Sequence, residues 1–144
     1  MPDPQQRDTA GPLTAAISTA VVRIIREYTG RGPTRARTSI RDDVVVVVLR
    51  DTMLKAEQSL VQDGKPDVVL DMRKEFQNTM RDELSSAIEM LTERQVIAFM
   101  SDNHIDPDLA VEVFVLAPDP AAEDLDPPAA GEPVKSDDDD QAGA

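Results

Sequence analysis

The segment Gly30-Arg31-Gly32-Pro33-Thr34-Arg35-Ala36-Arg37 places two glycines among three arginines. Glycine lets successive backbone N–H groups turn toward one anion, and guanidinium groups add charge-assisted hydrogen bonds. Gly30, Arg31, Gly32, Arg35 and Arg37 are therefore the candidate ligands of a phosphate- or carboxylate-bearing molecule. The same residues also read as a helix cap followed by a rigid turn. The segment is not a P-loop, because it lacks the Gly-Lys-Ser/Thr ending. Nor is it a dinucleotide fingerprint, because it follows a helix and enters a strand.

Other polar clusters offer less. Asp102, His104, Asp106 and Asp108 alternate like metal ligands, but no glycine makes the sharp turn, no closing glutamate follows, and Pro107 interrupts the loop. A polar hairpin connection accounts for them. His104 is the sole histidine, and a general base needs a substrate group or nucleophile that the sequence does not supply. Asp42-Asp43 reads as a turn. The chain has no cysteine, which excludes thiol catalysis, disulfides and cysteine-based zinc sites. Met53, Met72, Met80, Met90 and Met100 read as core or interface filling. The expectation is no enzyme activity, no metal and no cofactor.

The 144 residues carry a net charge of −13, unevenly spread. Arg23, Arg26, Arg31, Arg35, Arg37 and Arg41 face only Glu27 over their stretch, whereas Asp119, Glu123, Asp124, Asp126, Glu132 and Asp137 to Asp140 face only Lys135. An acidic chain lacks the phosphate-neutralising surface of a nucleic-acid binder. Residues 118–144 hold Pro118, Pro120, Pro127, Pro128 and Pro133 with few large apolar side chains, so an acidic disordered tail is expected there. It reads as a solubilising extension, or as a segment that folds onto a basic partner or the chain's own arginines. A shorter disordered leader is expected over residues 1–11, leaving 12–117 for one domain. The longest apolar run, Val44 to Leu49, is far below the ~18 residues of a membrane span, and no signal-peptide core is present. A cytoplasmic protein without a transmembrane segment is expected.

The elements that must position these residues follow from periodicity. Leu13, Ala16, Ile17, Ala20, Val21, Ile24, Ile25 and Tyr28 recur at helical spacing, predicting a helix over 12–29 with Pro12 in its first turn and Gly30 past its end. Residues 35–41 alternate with period two, and 44–49 are a β-branched run apolar on both faces. A short helix is predicted over 52–62. A long one over 67–92 has Val69, Met72, Phe76, Met80, Leu84, Ile88 and Leu91 as its stripe, and strands follow at 96–101 and 109–116. The order α-β-β-α-α-β-β predicts an α+β two-layer sandwich: four mostly antiparallel strands backed by two long helices. The valine strand belongs in the middle of that sheet. Its second apolar face is either shielded by the short helix and loops or covered by a partner, and a homodimer or a larger complex would supply the cover.

The run from Gly30-Arg-Gly-Pro33 through Ala36-Arg-Thr-Ser-Ile-Arg-Asp-Asp43 into the valines is similar to the MpsC-like family. The likeness continues through Thr52-Met-Leu-Lys-Ala-Glu57, the helix from Met72-Arg-Lys-Glu75, Val96-Ile-Ala-Phe-Met-Ser-Asp102 and Val111-Glu-Val-Phe-Val-Leu116, covering roughly residues 13–116. The loop Asn103–Asp108 is shorter and more acidic than the family pattern. The family takes its name from a sodium-translocating, membrane-potential-generating system. The resemblance implies a soluble accessory or regulatory component of a cation- or bicarbonate-handling membrane apparatus, peripheral to the membrane at its cytosolic face and acting through protein contacts. It carries over no catalytic residue. The alternative is a small anion- or metabolite-sensing domain that uses Gly30 to Arg37.

Overall fold

A computed structural model describes residues 4–119, with side chains described from residue 11 onward. The acidic stretch from residue 120 and residues 1–3 lie outside the described residues. The elements are α1 (Pro4–Thr29), β1 (Arg35–Arg41), β2 (Val44–Arg50), α2 (Lys55–Gln62), α3 (Pro66–Thr92), β3 (Val96–His104) and β4 (Leu109–Leu116). The four strands form one antiparallel sheet in the order β1-β2-β4-β3, giving the α+β sandwich that the periodicity predicts. Each hairpin contributes its second strand to the centre, so the valine strand β2 is interior.

Most boundaries fall where the residues demand. Gly30 terminates α1 with φ 80°, and its N–H donates to Arg26 O at 2.8 Å. Pro66 opens α3, since a first-turn proline forfeits no intrahelical bond. Three starts and ends differ from expectation by three residues or more. The first helix starts at Pro4 instead of residue 12: both prolines suit a first turn, the earlier one takes it, and Pro12 lies inside the helix. The short helix starts at Lys55, because Thr52 and the Met53 N–H are held by Asp108. β3 runs on to His104, past residue 101, because Asp102, Asn103 and His104 keep pairing with Val111, Ala110 and Leu109.

The core lies between helices and sheet. Ile17, Val21 and Ile24 of α1, Met80, Leu84 and Ile88 of α3, Val45, Val47 and Leu49 of β2, Phe99 of β3, and Ala110, Phe114 and Leu116 of β4 form one buried cluster. Burying one large aliphatic or aromatic side chain contributes about 1.5–3 kcal/mol. Phe99 and Phe114 meet at 5.1 Å between centroids, and the Arg81 guanidinium stands 5.0 Å from the Phe99 ring centre. The α3 stripe departs from expectation at two places: Gln77 is buried while Phe76 beside it is 37 % exposed, and Leu91 in the last turn is exposed. Among the methionines, Met80 is core, whereas Met90 and Met100 are 81 % and 55 % exposed.

Candidate functional site

All the core-forming residues of α1 and α3 press on one side of the sheet, and the strand register says what the other side carries. Val44, Val46 and Val48 pair directly with Val115, Val113 and Val111, so six valines form a grid across β2 and β4. Each is half-buried by its neighbours or, like Val44, exposed. Met100 extends the grid on β3 opposite Val113, and Ile97 is 58 % exposed at the nearby β-bulge. Among the described residues no helix packs over this face. The short helix α2 packs on α3 instead, so it does not shield the valines.

One edge of the grid is basic. Arg35, Arg37 and Arg41 alternate along β1 on the uncovered side, and the register sets Arg50 opposite Arg35 and Val48 opposite Arg37. Thr34, Arg35, Arg37, Val48 and Arg50 line an open groove there. None of these arginines is in an ion pair among the described residues. At the opposite edge, exposed Asp102 lies on β3 across from Val111.

The Gly30–Arg37 residues divide between two places. Arg31 turns away from the other arginines, donating to Asp51 Oδ2 at 2.9 Å and Met53 O at 2.7 Å. Gly30 serves as the positive-φ cap of α1, and Gly32 serves packing: a Cβ on Gly32 would stand 3.1 Å from Val22 Cγ1. Arg35 and Arg37 remain together and acquire Arg50 as a neighbour. Arg50 closes the apolar run of β2, and its alignment with Arg35 depends on the tight Asp42-Asp43 turn. There Asp42 takes φ 53° and Arg94 binds Asp43 Oδ1 at 2.6 Å. His104 Nδ1 lies 2.8 Å from Pro107 O, bracing the last hairpin. Asp108 accepts from the Thr52 hydroxyl and the Met53 N–H at 2.7 and 3.0 Å. These contacts fit a polar connection. Among the described residues no group of three or more histidine, cysteine or acidic side chains is placed to hold a metal ion.

A second polar cluster lies on the covered side. Glu57 grips Arg73 through both carboxylate oxygens at 2.8 and 2.9 Å, and Arg73 also donates to Thr52 Oγ1 and Asn103 Oδ1 at 2.8 and 3.0 Å. Beside it Glu112, 2 % exposed, has no partner for Oε2, and Ser101 Oγ, on its cross-strand neighbour, has none either. Burial pushes the Glu112 carboxyl up to about 7, and the nearby Ser101 hydroxyl only partly opposes that. Sequence reasoning missed this cluster. Its signal was present: Arg73 and Gln77 sit a turn apart on the inward side of α3, and Glu112 interrupts the valines of β4.

Fold and surface together define an α+β domain whose sheet is covered by helices on one side and presents apolar strands on the other. The chain belongs to the family described as the Na+-translocating membrane potential-generating system (MpsC), which matches over residues 9–118. That description ties the chain to a sodium-linked membrane system, although no helix among the described residues is long and apolar enough to cross a membrane. Neither the curated proteins nor the solved structures give a match.

Proposed function

We propose that this chain is a non-enzymatic accessory or regulatory component of such a system, cytoplasmic and peripheral to the membrane, which works by protein–protein contact as a homodimer. The observation that carries the reading is the uncovered valine grid. Contiguous apolar surface on an otherwise charged domain favours association. A second copy suits the pattern of charge. With a two-fold axis parallel to the strands, face-to-face packing lays the β1 arginines of one copy over the β3 edge, with Asp102, of the other. A perpendicular axis would stack arginines on arginines.

Sedimentation velocity of the full chain tests the homodimer. A dimer that Val113→Asp converts to monomer, with unchanged circular dichroism, supports the reading; a strict monomer at high micromolar concentration refutes it. Attachment to a membrane system is tested separately with tagged chain in its native cells. Co-purification of a membrane protein is the expected result, and recovery of none counts against it.

The groove between Arg35, Arg37 and Arg50 favours one second reading, an anion-sensing domain whose output is the sheet face. Inorganic phosphate should then shift the amide resonances of β1, and Arg35→Ala with Arg37→Ala should abolish the shift. An unchanged spectrum removes this reading.

A further inference from the structure

Between α3 and the sheet lies a cavity of about 50 Å³ whose walls include Thr52, Arg73, Gln77, Asn103 and Glu112, with Ile25, Leu49 and Met80 among its apolar parts. We propose that this cavity is a binding site for a small monovalent cation, held by the Glu112 carboxylate and the Gln77 side-chain amide oxygen. Three observations select that class of ligand.

Size is the first. A cavity that admits benzene measures ~150 Å³ and one water needs ~10–15 Å³, so about 50 Å³ takes an ion with a water or two and is too small to enclose a metabolite. The second is the orphaned acceptor. Glu112 Oε2 is buried with no hydrogen-bond partner, and the one hydroxyl beside the carboxyl, that of Ser101, only partly offsets its burial, whereas buried polar groups in folded proteins are nearly always satisfied. An anion would face that carboxyl oxygen, and an apolar occupant would leave it unpaired.

Charge is the third. Arg73 is the sole cation on the wall, and its guanidinium is held through two bonds by Glu57 of α2. Asp108 adds a further negative charge behind Thr52. From β2, Val47 stands opposite Glu112, from β3, Ser101 does, and α1 contributes Ile25 to the wall, none of them charged. Thr52 Oγ1 and Asn103 Oδ1 already accept from Arg73, which leaves Glu112 and Gln77 as the available oxygens. With Glu112 ionised, the cluster carries an excess of negative charge that a bound cation offsets. The cation therefore competes with the Glu112 proton.

The test is a carboxyl-carbon NMR titration of Glu112 in the full chain, run in sodium, potassium or ammonium chloride and in choline chloride at equal ionic strength. Choline is too large for the cavity and controls for screening. The expected result is a Glu112 midpoint about one pH unit lower in at least one of the three salts than in choline chloride, a tenfold change in proton affinity. A midpoint unchanged in all three means that the cavity holds water only, and overturns the proposal. Glu112→Gln, which keeps size and hydrogen bonding, should abolish the salt-specific difference in thermal midpoint between that chloride and choline chloride. Persistence of the difference in a folded Glu112→Gln variant also overturns it.

Discussion

Along β4, neighbouring residues meet two different environments. Ala110, Glu112, Phe114 and Leu116 are buried against the helices, whereas Leu109, Val111, Val113 and Val115 face the uncovered side and stay half-exposed. β2 repeats this with Val45, Val47 and Leu49 inside and Val44, Val46, Val48 and Arg50 outside. Both phases of both strands are apolar, yet one side is a packed core with a buried acid and the other a valine grid edged by arginines. Hydrophobicity that helices have consumed specifies the fold; the same hydrophobicity left over specifies association. The two sides should respond differently to the same truncation.

The largest effect is expected at Phe114, which is fully buried against Phe99. Phe114→Ala should cost about 3–5 kcal/mol in urea unfolding, through lost transfer energy and the cavity left behind. Val113→Ala, one residue away on the open side, should cost under about 1 kcal/mol per folded subunit, measured at concentrations where the chain is monomeric. Equal costs would mean that the valine face is already enclosed within one subunit.

Next comes the ion pair on the covered side. The Arg73 and Glu57 side chains are 12 % and 5 % exposed, so Arg73→Leu strands a buried carboxylate and should cost about 3 kcal/mol. Glu57→Gln with Arg73→Leu removes the stranded charge and should recover part of the loss. A double variant no better than the single one would show that Arg73 acts mainly through Thr52 and Asn103.

Glu112 gives the covered side a pH dependence of its own. Its carboxyl ionises near 4.5 when unfolded but only at about 7 when folded. Between those values the unfolded chain has released a proton that the folded chain retains, so stability falls as pH rises from about 4.5 to 7 and then levels. The total is about 3 kcal/mol. Glu112→Gln should flatten this fall in unfolding experiments across the pH range. A wild-type profile flat over the same window would show that the carboxyl is solvated.

The helices, the strands and their order were legible because each is written in a strong period: the α1 stripe from Leu13 to Tyr28, the alternation from Arg35 to Arg41, the valine run. The side of the sheet that the helices take was not legible, since β2 and β4 are apolar in both phases and period two cannot rank them. Arg73 and Glu112 went unseen for a related reason. A single polar residue in an apolar stripe reads as a break in the pattern, and only the tertiary fold reveals that it faces inward, with Glu57 or a cavity beside it. The arginine groove was half legible: Arg35 and Arg37 share a strand face, whereas Arg50 arrives through the hairpin register and Arg31 leaves through Asp51.

That division of the arginines sets up the smallest expected effect. The Arg31–Asp51 pair spans 2.9 Å with side chains 42 % and 47 % exposed, so water screens much of its attraction. Arg31 also donates to Met53 O, which links the turn after α1 to the segment entering α2. Arg31→Ala should therefore cost no more than about 1 kcal/mol in thermal or urea unfolding, a loss that shrinks with added salt. It should leave any phosphate-induced shift in β1 unchanged, because the guanidinium is already occupied away from Arg35, Arg37 and Arg50. If Arg31→Ala instead removed the phosphate response while sparing stability, the two groups of arginines would act as one site. The contrast between a glycine-rich turn that caps and packs and a strand edge that presents charge would then fail.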